Sequence, residues 1–166
     1  MKPLARLIAT VCGVGYLKPA PGTWGSAVTL PLGFALHALG GFPLILIGII
    51  STFAKGWWAT AVMTQGKKDH DPSEIVIDEV AGQLIALAPL SYAAWAHDLP
   101  ALALWPGWVA AFLLFRLFDI LKPGPIGWAD RRGDALGVML DDIIAGIFAA
   151  LGVMVLAGLY HGVLGL

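Results

Sequence analysis

Between Lys18 and Lys55 the chain has no Asp, Glu, Lys or Arg. As a single helix that stretch would reach on the order of 50 Å, against a hydrocarbon core of about 30 Å, so it has to turn. Gly40-Gly41-Phe42-Pro43 is the natural turn. It predicts a short helix from about Trp24 to Leu39, short enough to be tilted, sunk in a bundle or re-entrant, and a longer one from about Pro43 to Gln65 with Pro43 in its first turn. The next apolar run breaks at His97-Asp98-Leu99-Pro100, predicting helices over Ile75–Ala96 and Ala101–Leu121, and a last helix runs from about Leu136 to Tyr160. Met1–Cys12 has a short basic region and an apolar run, with no small-x-small cleavage site. It reads as a retained N-terminal segment lying in a membrane interface.

Composition supports a membrane reading: 58% of residues are hydrophobic, 13% are charged and mean hydropathy is +0.81, whereas soluble domains carry about 25% charged residues. The expectation is an all-α polytopic membrane helix bundle of about five apolar helices, one domain over residues 1–166, with no repeat, low-complexity segment or linker. A net charge of −1 with interleaved acids and bases argues against nucleic-acid binding. Cys12 is the single cysteine, which excludes a disulfide framework and a thiolate metal cluster.

If all five helices cross, every Lys and Arg, and every acid except Asp98, falls on one side. The N-terminal region and the loops of about Gly66–Glu74 and Lys122–Asp134 form that face. It holds Lys2, Arg6, Lys18, Lys67, Lys68, Lys122, Arg131 and Arg132, with Lys55 and Arg116 on helices near it. The positive-inside rule makes this face cytoplasmic; Lys2, Arg6, Lys67 and Lys68 need no role beyond that topology signal.

Topology does not call for acids, yet Asp78, Glu79, Asp119, Asp141 and Asp142 lie on or at the ends of apolar helices. An acid within such a helix costs on the order of 3 kcal/mol on insertion scales, so five near one level need compensation. A divalent cation would supply it, carboxylates being the hard ligands that Mg²⁺ takes together with substrate phosphate oxygens. Protein cations are the alternative, because Arg116, Asp119 and Lys122 are spaced by three on one helix. The adjacent pairs Asp78-Glu79 and Asp141-Asp142 suit a metal better than ion pairing. About 100° separates neighbours on a helix, leaving one of each pair free to ligate while the other positions water or faces a cation. Gly82 and Gly146 each follow an acid by four residues, consistent with close packing of the two acidic helices.

Two loops complete the charged face. Gly13–Ser26 is rich in Gly and Pro and presents Thr23 as N-cap of the following helix, whose free amides, with Lys18, could cradle phosphate oxygens. Lys122–Arg132 is stiffened by prolines and carries Trp128, Asp130 and Arg131 at headgroup depth. Asp69-His70-Asp71-Pro72-Ser73 follows a polar stretch instead of a buried strand, so it reads as a loop and not as an aspartyl-phosphate motif. No Cys precedes an Arg-bearing phosphate loop. His37, His97 and His161 belong to the apolar body or the opposite face, and His70 stands alone.

These residues resemble the phosphatidylglycerophosphatase A family. The matching stretches are Gly15–Lys18 with Pro21–Ser26, Ile75–Gly82, Phe115–Pro123, Pro125-Ile126, Trp128 with Asp130-Arg131, and Leu136–Gly146, in family order over most of the chain. Gly127 and Asp134-Ala135 depart from the pattern, standing where a basic residue and a Gly-Gly pair are usual. The resemblance implies a Mg²⁺-dependent lipid phosphatase of the bacterial inner membrane that converts phosphatidylglycerophosphate to phosphatidylglycerol and phosphate. The expected site has Asp78, Glu79, Asp119, Asp141 and Asp142 around Mg²⁺ and Asp130 among the catalytic acids. Lys18, Thr23, Arg116, Lys122 and Arg131 contact the substrate, water attacks phosphorus in line, and a carboxylate takes its proton. The rival class is a small ion-coupled transporter with intramembrane carboxylates, but the opposite half carries almost no polar groups beyond His97, Asp98 and His161.

Overall fold

The computed structural model describes residues 1–67 and 69–164. Lys68, placed above on the charged face, lies outside the described residues, as does the side chain of His161. The described chain is all-α: α1 (Lys2–Ala9), α2 (Pro21–Thr64), α3 (Ile77–Ala96), α4 (Trp105–Leu121), α5 (Pro125–Asp130) and α6 (Ala135–Leu164), with 3₁₀ turns at Val14–Tyr16 and Ala101–Leu104.

α2 is two helical arms. Gly40 (φ −158°, ψ 16°) and Gly41 (φ 62°, ψ −155°) leave the helical region and fold the chain back at the predicted turn, Gly41 adopting a conformation that a side chain would strain. The arms, 21–39 and 42–64, are antiparallel, since Leu36 packs by Gly48. Along the first arm Gly25 faces Val76 and Glu79, Gly33 faces Leu84 and Leu87, and His37 Nδ1 lies 2.8 Å from Ser91 Oγ, while Phe42, just past the turn, packs on Tyr92 and Trp95. The first arm therefore runs parallel to α3. The second runs back, with Gly56 against Ile77 and Met139. α4 is antiparallel to α3, pairing Gly107 with Leu90 and Phe115 with Gly82. α6 is parallel to α3 and antiparallel to α4, with Gly146 on Gly82 and Phe118 on Phe148. The start of the first arm, the end of the second, the starts of α3 and α6 and the end of α4 thus meet at one end of the bundle.

α3 is the central helix. Leu84, Leu87 and Ala86 are fully buried, and it belongs to both apolar clusters, one with Ile45, Ala59 and Met139, the other with Phe115, Ala145 and Ala149. The helices around it turn Ile47, Ile50, Leu113, Ile120, Leu151 and Val155 outward. α1 closes the acidic end, burying Ala5 and Ala9, with Val76 N–H donating to the Ala9 carbonyl at 2.9 Å.

Several boundaries differ from expectation. Among the described residues three helical stretches, 21–64, 101–121 and 135–160, are long and apolar enough to cross a membrane, not about five. Two of the expected five are the arms of one folded helix, and α3, which carries Asp78, Glu79 and Gln83, is not among the three. The first helix begins at Pro21 rather than Trp24, because proline has the φ of a first helical turn and no N–H to lose there. Its N-cap is Ala20, so Thr23 lies inside the first turn and caps nothing. Residues 101–104 form a 3₁₀ turn, Pro106 being unable to donate back into that turn. The Lys122–Asp134 loop contains the short helix α5. α6 is capped by Asp134, whose Oδ1 accepts the Gly137 N–H at 2.7 Å.

Candidate active site

Asp78-Glu79 in the first turn of α3 and Asp141-Asp142 in the second turn of α6 share one local arrangement. Asp78 Oδ1 accepts the N–H of Glu79 at 3.0 Å, and Asp141 Oδ1 accepts that of Asp142 at 3.0 Å. The two helices approach closely because Gly82 and Gly146, one turn further in, lack side chains. A Cβ on either would strike the other helix's backbone. Asp78, Glu79 and Asp142 then converge, each offering an oxygen within 4.8 Å of the others. Asp78 and Asp142 are buried, and Glu79 Oε2 and Asp142 Oδ1 are buried with no hydrogen-bond partner. Buried carboxylate oxygens without partners are costly, and three hard donors aimed at one point are what an oxygen-liganded divalent cation needs. The residues fit such an ion.

Around this triad lies a partly open cavity of about 250 Å³. α2 lines it with Pro21 and Gly22, the 66–74 loop with Asp71 and Ser73, α4 with Arg116 and Asp119, and Lys122 and Asp141 complete the wall. Among the described residues of its wall, six carboxylates, Asp71, Asp78, Glu79, Asp119, Asp141 and Asp142, face two cations, Arg116 and Lys122. At formal charge the cavity is strongly negative, again calling for a cation.

The two protein cations are held in place. Arg116 Nη1 lies 2.6 Å from Asp119 Oδ2, while its Nε is buried without a partner. Lys122, in the left-handed conformation at the C-cap of α4, donates to Asp141 Oδ2 at 2.7 Å and to Asp130. Burial works against its charge, but the bonds to Asp130 and Asp141 win, and its ammonium is held above the ordinary lysine range. Asp141 thus turns to Lys122 while its neighbour Asp142 turns to the triad, whereas Asp78 and Glu79 both join the triad, so the division expected within each pair is seen in one of them.

Of the sequence-derived residues, the structure gathers Asp78, Glu79, Arg116, Asp119, Lys122, Asp141 and Asp142 on one cavity. Asp130 reaches it only through Lys122. Lys18 and Arg131 are exposed and Thr23 is half-buried; none of the three lines the cavity. Asp71 and Ser73 do line it, and sequence reasoning passed over both as loop. Their only signal was adjacency to the helix that begins with Asp78. Gly22 is the other omission: a Cβ there would run into the Glu79 carboxylate and approach Arg116, so the glycine lets the helix start close over the cluster.

The family model described as Phosphatidylglycerophosphatase A matches residues 7–157. A Haemophilus influenzae protein of that name is 39% identical over 88% of this chain and 84% of its own length, and an Escherichia coli K12 protein of the same name is 32% identical over 97% and 87%. A Bacteroides thetaiotaomicron protein, provisionally named a phosphatidylinositol-3-phosphatase, is 34% identical over 88% and 89%. No solved structure matches the chain. With the match running from α1 through most of α6 and so across every wall of the acidic cavity, the chain belongs to the phosphatidylglycerophosphatase A family, a family of membrane phosphatases, and is a hydrolase.

Proposed function

We propose that the enzyme removes the terminal phosphate of phosphatidylglycerophosphate, yielding phosphatidylglycerol, at a Mg²⁺ site formed by Asp78, Glu79 and Asp142. The observation that carries the reading is the triad itself, three carboxylates with two buried, unpartnered oxygens beside a polar cavity at the end of an apolar bundle. When bound, the cation supplies Lewis-acid polarisation of the phosphoryl group and lowers the pKa of water. The chain does the rest. The Arg116 guanidinium and Lys122 ammonium neutralise phosphate oxygens as charge builds, and their carboxylate partners Asp119, Asp130 and Asp141 fix where those charges sit. A cluster carboxylate takes the proton of the attacking water, whose oxygen ends on inorganic phosphate, and returns that proton to the glycerol oxygen as its bond to phosphorus breaks, giving the free hydroxyl. Lys18, Thr23 and Arg131, outside the cavity wall, take the outer part of the headgroup.

We further propose that the two arms of α2, together with α3, α4 and α6, cross the inner membrane five times with the site on the cytoplasmic side. The alternating helix directions support this. So do the exposed tryptophans, Trp24 and Trp128 near the acidic end and Trp95 and Trp105 near the other, as in interfacial belts. Lys55, Lys67, Arg131 and Arg132 gather at the acidic end, the positive side. A phosphomonoester cannot enter hydrocarbon cheaply and its acyl chains cannot leave it, so the site must stand at the interface.

The test is phosphate release by purified protein from phosphatidylglycerophosphate and from phosphatidylinositol 3-phosphate, each with Mg²⁺ and with a chelator. Release from the first that requires Mg²⁺ is expected. Preference for the phosphoinositide would move the substrate to the class in the Bacteroides protein's name, and release from neither would reject the reading.

A further inference from the structure

A second, apolar cavity of about 380 Å³ lies between the first arm of α2 and α4, walled by Leu30, Pro31 and Phe34 on one side and Trp105, Trp108 and Val109 on the other. The same two elements supply Gly22 and Arg116 to the acidic cavity, so both spaces lie along one seam. Their separation can be counted twice. Gly22 to Leu30 is eight residues along the arm and Arg116 to Trp108 eight along α4, each on the order of 12 Å. Two antiparallel helices agreeing on the depth put the near end of the groove about 12 Å below the acidic cavity, well inside a hydrocarbon core of about 30 Å, and Phe34 and Trp105 carry it on toward the far interface. Phe34, Trp105 and Val109 are exposed, so the groove opens outward to the apolar surroundings of the bundle.

We propose that this groove receives an acyl chain of the substrate, threaded along the seam while the terminal phosphate occupies the acidic cavity. The proposal rests on the lipid-phosphatase reading. Continuity of the seam picks out the substrate's own chain over bulk lipid, because a chain attached to a headgroup in the acidic cavity starts at the top of this seam and has to run that depth to reach the groove. A chain too short to reach it gains nothing from it.

The experiment compares palmitoyl and hexanoyl phosphatidylglycerophosphate in one detergent, with wild type, Val109→Trp, Leu30→Trp and, as a control at similar depth on the outer face of α6, Leu151→Trp. Filling the groove from either wall should lower kcat/KM for the palmitoyl ester about tenfold or more, because a long chain forced out of the seam misplaces the phosphate it carries. Hydrolysis of the hexanoyl ester should be unchanged and Leu151→Trp should match wild type. Equal loss on both esters, no loss on either, or the same loss from Leu151→Trp overturns the proposal. A substrate analogue with a photoreactive chain end should also crosslink to Trp105–Val109 in wild type. That readout needs no turnover: crosslinking there without phosphate release would leave the groove standing and the phosphatase reading failed, and crosslinking spread evenly over the outer helices would remove the groove.

Discussion

Gly82 of α3 and Gly146 of α6 meet backbone to backbone: a Cβ on Gly146 would strike the Gly82 carbonyl, and one on Gly82 would strike the Asp142 carbonyl and the Phe115 ring. This contact sets how near Asp78 and Glu79 come to Asp142. Gly146→Ala should therefore cost about 1–3 kcal/mol of stability through overpacking and should lose phosphate release by widening the triad. Thermal unfolding in detergent together with turnover checks it, and an alanine variant with wild-type values in both would refute it.

Glu79→Gln and Asp142→Asn should each remove most of the thermal stabilisation that added Mg²⁺ confers, because ligand-induced stabilisation scales with the logarithm of affinity. Asp141→Asn should behave differently. Its oxygen serves Lys122, so the Mg²⁺-induced shift should survive while turnover falls by about a hundredfold or more. Loss of the Mg²⁺ response in Asp141→Asn would place that residue among the ligands.

Lys122→Met should abolish most activity, and Lys122→Arg should restore only part, since two carboxylates on different elements converge on a single ammonium. With the folded-state pKa raised above the unfolded one, the stability these pairs add is fully present below the ordinary lysine range. It is lost as pH rises through the raised value. The stability gap between wild type and Lys122→Met should be flat through neutral pH and shrink only at the alkaline end.

Asp134→Ala should destabilise the start of α6 by about 0.5–2 kcal/mol, with Asp134→Asn close to wild type. The ion pair with Arg132 and the Gly137 N–H hold the Asp134 carboxyl below its usual range. Its charged cap is thus complete above that range and lost as pH falls through the lowered value. Thermal unfolding of the three proteins at neutral and acidic pH measures both effects.

Ser73→Cys should react with a membrane-impermeant thiol reagent only from the cytoplasmic side, while Ala81→Cys and Ala145→Cys, at fully buried positions one turn deeper, should be protected. Labelling of Ser73→Cys from outside intact cells would reverse the proposed orientation.

The residue pattern by itself determined the apolar helices, the turn at Gly40-Gly41, the single charged end and the acids placed there, because each follows from local rules: helix length against hydrocarbon thickness, glycine's freedom at positive φ, and the cost of a charge in an apolar helix. Close packing of the acidic helices was also legible, from a glycine one turn after an acid in each. The sequence could not say that α3 would be central, because hydropathy does not distinguish a helix facing lipid from one surrounded by its neighbours. Nor could it separate Asp141 from Asp142. That division depends on where Lys122 lies, and so on the left-handed turn ending α4 and on α5 bringing Asp130 to the same ammonium. Asp71, Ser73 and Gly22 enter the cavity, and Thr23, Lys18 and Arg131 stay off its wall, for the same reason. Which loop atoms reach a site is decided by contacts between segments distant in sequence, and only the tertiary structure makes those contacts.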